Sequence, residues 1–197
     1  MSAHIPLITG SVFNEQTNAL DREDGGRMTE AELQKSISEA FGSDGPAIIA
    51  ASRRSWPDAT AFTIHAAIAV EPFRRCALEQ AAQKSALNAA PSFVYVYKWH
   101  TPMLDGRLGT FHACDLAFPF DNAARCFHYS GLRPEALAMS KRFAAAYVAF
   151  ARNGNPNHSG LPHWPAHTRD GATMVFDNVY RVHEGLEAEG LPLIERA

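Results

Sequence analysis

The sequence predicts an α/β fold, a few sheet strands with several helices, in one domain over residues 1–197. Three observations carry this expectation. The opening "HIPLITG" holds a continuous apolar strand, Ile5 to Ile8, the pattern of a strand covered on both faces as in a parallel sheet. The stretch "PSFVYVYKWH" is aromatic and β-branched, and the segments on either side of it are rich in helix formers. With 46% apolar and 20% charged residues, the composition is that of a soluble globular chain, and 197 residues suffice for one sizeable core.

In chain order, the first strand ends at Gly10, where a sharp turn is expected before the polar "NEQTN". "DREDGGR" reads as a solvated loop. In "MTEAELQKSISEAFG", Thr29 caps a helix and Glu32 completes a capping box, while Leu33, Ile37 and Phe41 recur on one face and Gly42 closes the end. "GPAIIAASRRSWPD" is read as a short helix. "ATAFTIHAAIAVEPF" lacks a clear period and fits helix or strand, with helix preferred.

Beyond Pro72, "FRRCALEQAAQKSALNAA" predicts a helix and Phe93 to Trp99 a strand. The loop "TPMLDGRLG" then leads to His112. The longest predicted helix starts near Pro134 and stops at Gly154 and Pro156, with Phe143, Tyr147 and Phe150 suited to its buried face. "GATMVFDNVYRVHEG" predicts two short strands around Asp177 and Asn178, a turn without glycine.

Charge and motifs narrow the functional classes. Eighteen basic and 21 acidic residues give a net charge of -3, and no basic run or stripe is present, which argues against nucleic acid as a partner. Cys76, Cys114 and Cys126 are too scattered for a disulfide framework or a zinc site, so a reduced compartment is favoured. No apolar run reaches the ~18 residues that span a bilayer. As written the chain reads without anchor or export signal, and a cytoplasmic location is the expectation.

No glycine-rich phosphate cradle, Gly-x-Ser-x-Gly elbow or Ser-x-x-Lys motif is found, and no cofactor is expected. His158, His163 and His167 fall close together in "NHSGLPHWPAH", but prolines break any helical ligand spacing and no metal site is assigned. His112, followed by Asp115 at i+3, is open to a structural, a metal-ligand or an acid-base role from its spacing alone.

Several stretches resemble the C-terminal part of the type B carboxylesterase and cholinesterase family. "IPLITGSVFNE" is similar to the strand and turn bearing the acidic triad member, which implies that role for Glu15. "FVYVYKWHTP" resembles the last strand before the histidine loop, and "GRLGTFHACDLAFPFDN" resembles that loop, which implies the role of base for His112. "AYVAFARNGNPN" and "GLPHWPAHTRDGATMVFDN" resemble the late helix, the Trp-Pro loop and the terminal strands. Gln16 and Thr17, where a small residue is common, and Asp115, where glutamate is frequent, depart from the pattern.

The resemblance implies the C-terminal portion of an α/β-hydrolase fold, with the N-terminal half absent from this sequence. It further implies hydrolysis of a small-molecule carboxylic ester by a Ser-Glu-His triad of which the chain holds Glu15 and His112. The serine and the oxyanion donors would lie upstream, so the expectation is a chain inactive alone: a gene fragment, a misassigned start, or one half of a split enzyme completed by another polypeptide, with self-association through an exposed apolar strand edge as a further option. A non-catalytic binding module derived from the same family is the alternative.

Overall fold

A computed structural model describes residues 3–15, 27–106, 108–168 and 171–183 of the chain. Its organising element is a strand whose side chains alternate between two helical layers. In β2 (Ser92–Tyr97), Phe93 and Tyr97 enter the main core, whereas Val94 packs on the other side with Leu78 and Ala81 of α4 (Glu71–Ala86). The period of two thus builds a layer on each face of the sheet.

The sheet has four strands in the order β1-β2-β3-β4. β1 (Leu7–Val12) and β3 (Thr173–Phe176) flank β2 in parallel, and β4 (Arg181–His183) closes one edge antiparallel to β3. Among the described residues β1 pairs on one side only, and Ile5 and Leu87 beside it are exposed. The parallel pairing follows the expectation from Ile5 to Ile8. The strand itself starts later and runs through Gly10, because Gly10 lies in register with Tyr95 and hydrogen-bonded pairing continues to Val12.

The crossover from β1 to β2 carries α1 (Glu30–Phe41), α2 (Gly45–Ser55), α3 (Ala61–Ala69) and α4. Thr29 and Glu32 form the capping box of α1 reciprocally, and Leu33 and Ile37 are its buried residues. They join Ile48, Ile49, Ile64 and Ile68 in a small core of their own. The unpatterned segment before Pro72 is helical as preferred: α3 is apolar nearly all round because it is enclosed by that core.

After β2 come α5 (Phe127–Ser130), which the sequence reading missed, and α6 (Pro134–Asn153). α6 ends at Gly154, as expected, and buries Met139 and Phe143. The Phe143 ring stacks on Phe176 of β3 at 3.8 Å, and Trp164, fully buried, donates from Nε1 to the Val94 carbonyl at 3.1 Å. The hairpin expected around Asp177 and Asn178 is β3-β4. The loop expected at "DREDGGR" and the departures Gln16 and Thr17 lie outside the described residues, apart from Arg27.

Candidate active site

Glu15 and His112 are 97 residues apart in sequence and adjacent in space. β1 delivers the first. Past Val12 the chain is held to β2 by the Phe13 N–H donating to the Tyr97 carbonyl at 2.9 Å, and Asn14 bridges in parallel to Phe111. Glu15 then folds back, one carboxylate oxygen accepting from the Val12 N–H at 2.9 Å. Its other oxygen lies 2.5 Å from His112 Nδ1.

The histidine loop is fastened to the end of β2. The Thr110 hydroxyl lies 3.0 Å from the Lys98 carbonyl and 3.1 Å from that of Trp99, and Thr101 N–H donates to Gly109 at 3.1 Å. Gly109 takes φ of 55°, and a Cβ there would stand 3.4 Å from the Asn14 amide. The loop can therefore lie flat against the turn carrying Glu15. Phe111 is buried beside Tyr129, at a ring separation of 5.2 Å, which turns the next side chain outward.

Exposure separates the two members of the pair. The Glu15 side chain is 14% exposed and that of His112 64%. A shielded carboxylate accepting from Nδ1–H fixes the imidazole tautomer, leaving Nε2 as the nitrogen able to exchange a proton at the surface.

Behind the pair lies Asp115, buried, its Oδ2 accepting from the Tyr95 hydroxyl at 3.0 Å. Burial pushes the Asp115 carboxyl above the usual range, the Tyr95 hydrogen bond pulls it back, and the charge of Glu15 adds to the rise. The Cys114 thiol, also buried, is raised far above its ordinary value by desolvation. Asn14 and Tyr95 were not singled out from the sequence; the position of Asn14 directly before Glu15 was the available signal.

The other candidates separate. His158 Nε2 lies 3.0 Å from the Arg142 carbonyl, and His167 Nδ1 lies 3.3 Å from the Ala172 carbonyl. Among the described residues no group of three His, Cys, Asp or Glu side chains could hold a metal ion. No described helix is long and apolar enough to cross a membrane.

Residues 60–191, a span containing His112, match the carboxylesterase family. The chain belongs to that family. It is 32% identical over 89 residues to the phenmedipham hydrolase of Pseudarthrobacter oxydans, covering 43% of this chain and 18% of that protein. It is 28% identical over 120 residues to the para-nitrobenzyl esterase of Bacillus subtilis (strain 168), covering 59% of this chain and 24% of that one.

Among solved structures, a Geobacillus stearothermophilus carboxylesterase superposes on 98% of this chain with a TM-score of 0.76 and 25% identity. That superposition covers 40% of the Geobacillus chain. The chain thus has the α/β-hydrolase architecture of that protein, over part of that protein's length: a small mixed sheet among several helices.

Proposed function

We propose that this carboxylesterase chain carries the acid-base part of a serine-type ester hydrolase, with His112 as general base and Glu15 as its orienting carboxylate. Residues 1–197 are then one incomplete domain, and the substrate is a small-molecule carboxylic ester. The observation supporting this most strongly is the division of labour at Glu15: one oxygen on the Val12 N–H, the other 2.5 Å from His112 Nδ1. A carboxylate fixed at both oxygens holds the ring in one tautomer and stabilises the imidazolium that forms during reaction.

In this reading His112 Nε2 accepts the proton of a serine hydroxyl as that oxygen attacks the ester carbonyl, then returns it to the leaving alcohol. Water enters by the same two proton transfers and releases the acid. The sequence contains no Gly-x-Ser-x-Gly elbow, so the serine and oxyanion donors come from residues outside it, in the same or a complementing polypeptide.

The purified 197-residue chain should accordingly hydrolyse p-nitrophenyl butyrate no faster than its His112→Ala variant. Fluorophosphonate should label neither. Robust turnover by the chain, lost in the variant, would place a nucleophile within these residues and overturn this assignment of parts.

A further inference from the structure

We infer that Tyr95 is a positioning residue for His112, acting through a hydrogen bond to Asp115 that ties the histidine loop to the middle of the sheet. The inference rests on His112 being the base paired with Glu15.

The loop needs such a tether on its far side. Ala113, directly after His112, has φ of 66°, a left-handed conformation that L residues other than glycine adopt at a cost. On the near side of His112 the backbone is fixed by Thr110 and by the Asn14-Phe111 bridge. On the far side, the nearest side-chain bond among the described residues runs from the Tyr95 hydroxyl to Asp115 Oδ2, and the Ser140 hydroxyl holds the Phe118 carbonyl farther along. His112 and the strained Ala113 sit between these two fastenings, with the imidazole itself largely exposed.

Tyr95 is suited to hold still. It lies on β2, between β1 and β3, and its ring meets Phe143 at 5.3 Å and Phe176 at 5.9 Å, both edge-on. Opposite it in register stands Gly10, where a Cβ would overlap the Tyr95 ring and lie 2.5 Å from its carbonyl. The missing side chain at Gly10 is the space that the ring occupies. Tyr147 of α6 packs edge-on against Phe143 at a ring separation of 5.4 Å, backing that contact from the helical layer. A phenol caged on both sides has little rotamer freedom left to lose in holding its acceptor. Asp115, buried, has correspondingly few alternatives to that donor.

The test reads the His112–Glu15 hydrogen bond directly, without any ester. In the full chain with 15N-labelled histidine, the Nδ1–H proton of His112 should give a low-field NMR resonance, assigned by its loss in His112→Ala. In Tyr95→Phe, which keeps the ring and removes the hydroxyl, its exchange with water should rise about tenfold, the scale of one ordinary hydrogen bond lost. Asp115→Ala should act likewise. Asp115→Asn keeps an oxygen for the tyrosine hydroxyl and should exchange like the unsubstituted chain.

Unchanged exchange in a folded Tyr95→Phe overturns the tether while leaving the His112–Glu15 pair intact. Should Tyr95→Phe not fold, the Asp115 pair decides: Asn protecting where Ala does not supports the tether, and equal behaviour overturns it. Absence of the resonance from the unsubstituted chain would overturn both the pairing and the tether.

Discussion

Glu15 bonds at once to the backbone of the strand that carries it, at Val12, and to the ring of His112, so strand end and histidine loop share one carboxylate. The two bonds differ in burial, since Val12 is almost fully buried and the imidazole is mostly exposed. Removing the whole carboxylate should therefore cost more than removing the ring. Glu15→Ala leaves the Val12 N–H without its acceptor, and about 2 kcal/mol of destabilisation is expected. Glu15→Gln retains an oxygen for Val12 and should cost about 1 kcal/mol, while His112→Ala should stay within about 0.5 kcal/mol. Urea denaturation of the three variants checks the order; a His112→Ala loss equal to that of Glu15→Ala would contradict it.

Ala113 offers the opposite sign. At φ of 66° it pays the left-handed penalty of about 1–2 kcal/mol that glycine escapes. Glycine returns part of the gain through the greater freedom of the unfolded chain, about 0.4–1 kcal/mol. Ala113→Gly should stabilise the protein by about 0.5–1 kcal/mol, and Ala113→Val should destabilise it. Thermal melts of the pair decide: a lower melting temperature for Ala113→Gly would show that the loop conformation differs from the one described.

What could be read in the sequence was what depends on local chemistry or on period. Thr29 and Glu32 announced α1 because a capping box is a contact between near neighbours. Phe93, Tyr95 and Tyr97 announced β2, and Pro134 with Gly154 bounded α6, because backbone preferences of single residues operate there. Features set by distant partners were not legible. Gly10 read as a turn, yet it lies mid-strand because a tyrosine 85 positions later fills the space above it. The four-residue α5 has too few residues to show a period. At the site, the positions of Glu15 and His112 entered through resemblance, whereas Asn14, Tyr95 and the burial of Asp115 depend on packing that spacing does not encode.

Gly10→Ala tests that packing independently of His112. The added methyl would overlap the Tyr95 ring and also approach the Tyr95 carbonyl, which belongs to a strand paired on both sides and cannot retreat. Destabilisation of about 3 kcal/mol is expected, at the upper end for overpacking. Shortening Tyr95 should not rescue it fully, because the clash with the backbone oxygen persists. Full recovery of stability in Gly10→Ala/Tyr95→Leu would mean that the two strands separate more readily than their register implies.

Glu71 supplies a pH dependence. It opens α4 almost fully buried and ion-paired with Arg74, also largely buried. Burial raises its carboxyl from 4.5 to about 7, outweighing the opposing pull of Arg74 and Arg75. A carboxyl that binds its proton more tightly when folded makes the protein more stable as pH falls. The gain from Glu71 begins as pH drops below about 7 and is complete near 4.5, on the order of 3 kcal/mol in all. Asp115, raised mainly by burial, contributes with the same sign, so the unsubstituted profile alone cannot assign the effect. Glu71→Gln, which cannot titrate, should flatten the stability profile between pH 5 and 8 by most of that amount. Above pH 7 it should be the more stable chain, since it removes a buried charge whose desolvation Arg74 does not fully offset, and near pH 4.5 the two should converge. Urea unfolding across this range checks both expectations: a variant whose profile runs parallel to that of the unsubstituted chain would show that Glu71 titrates outside the range.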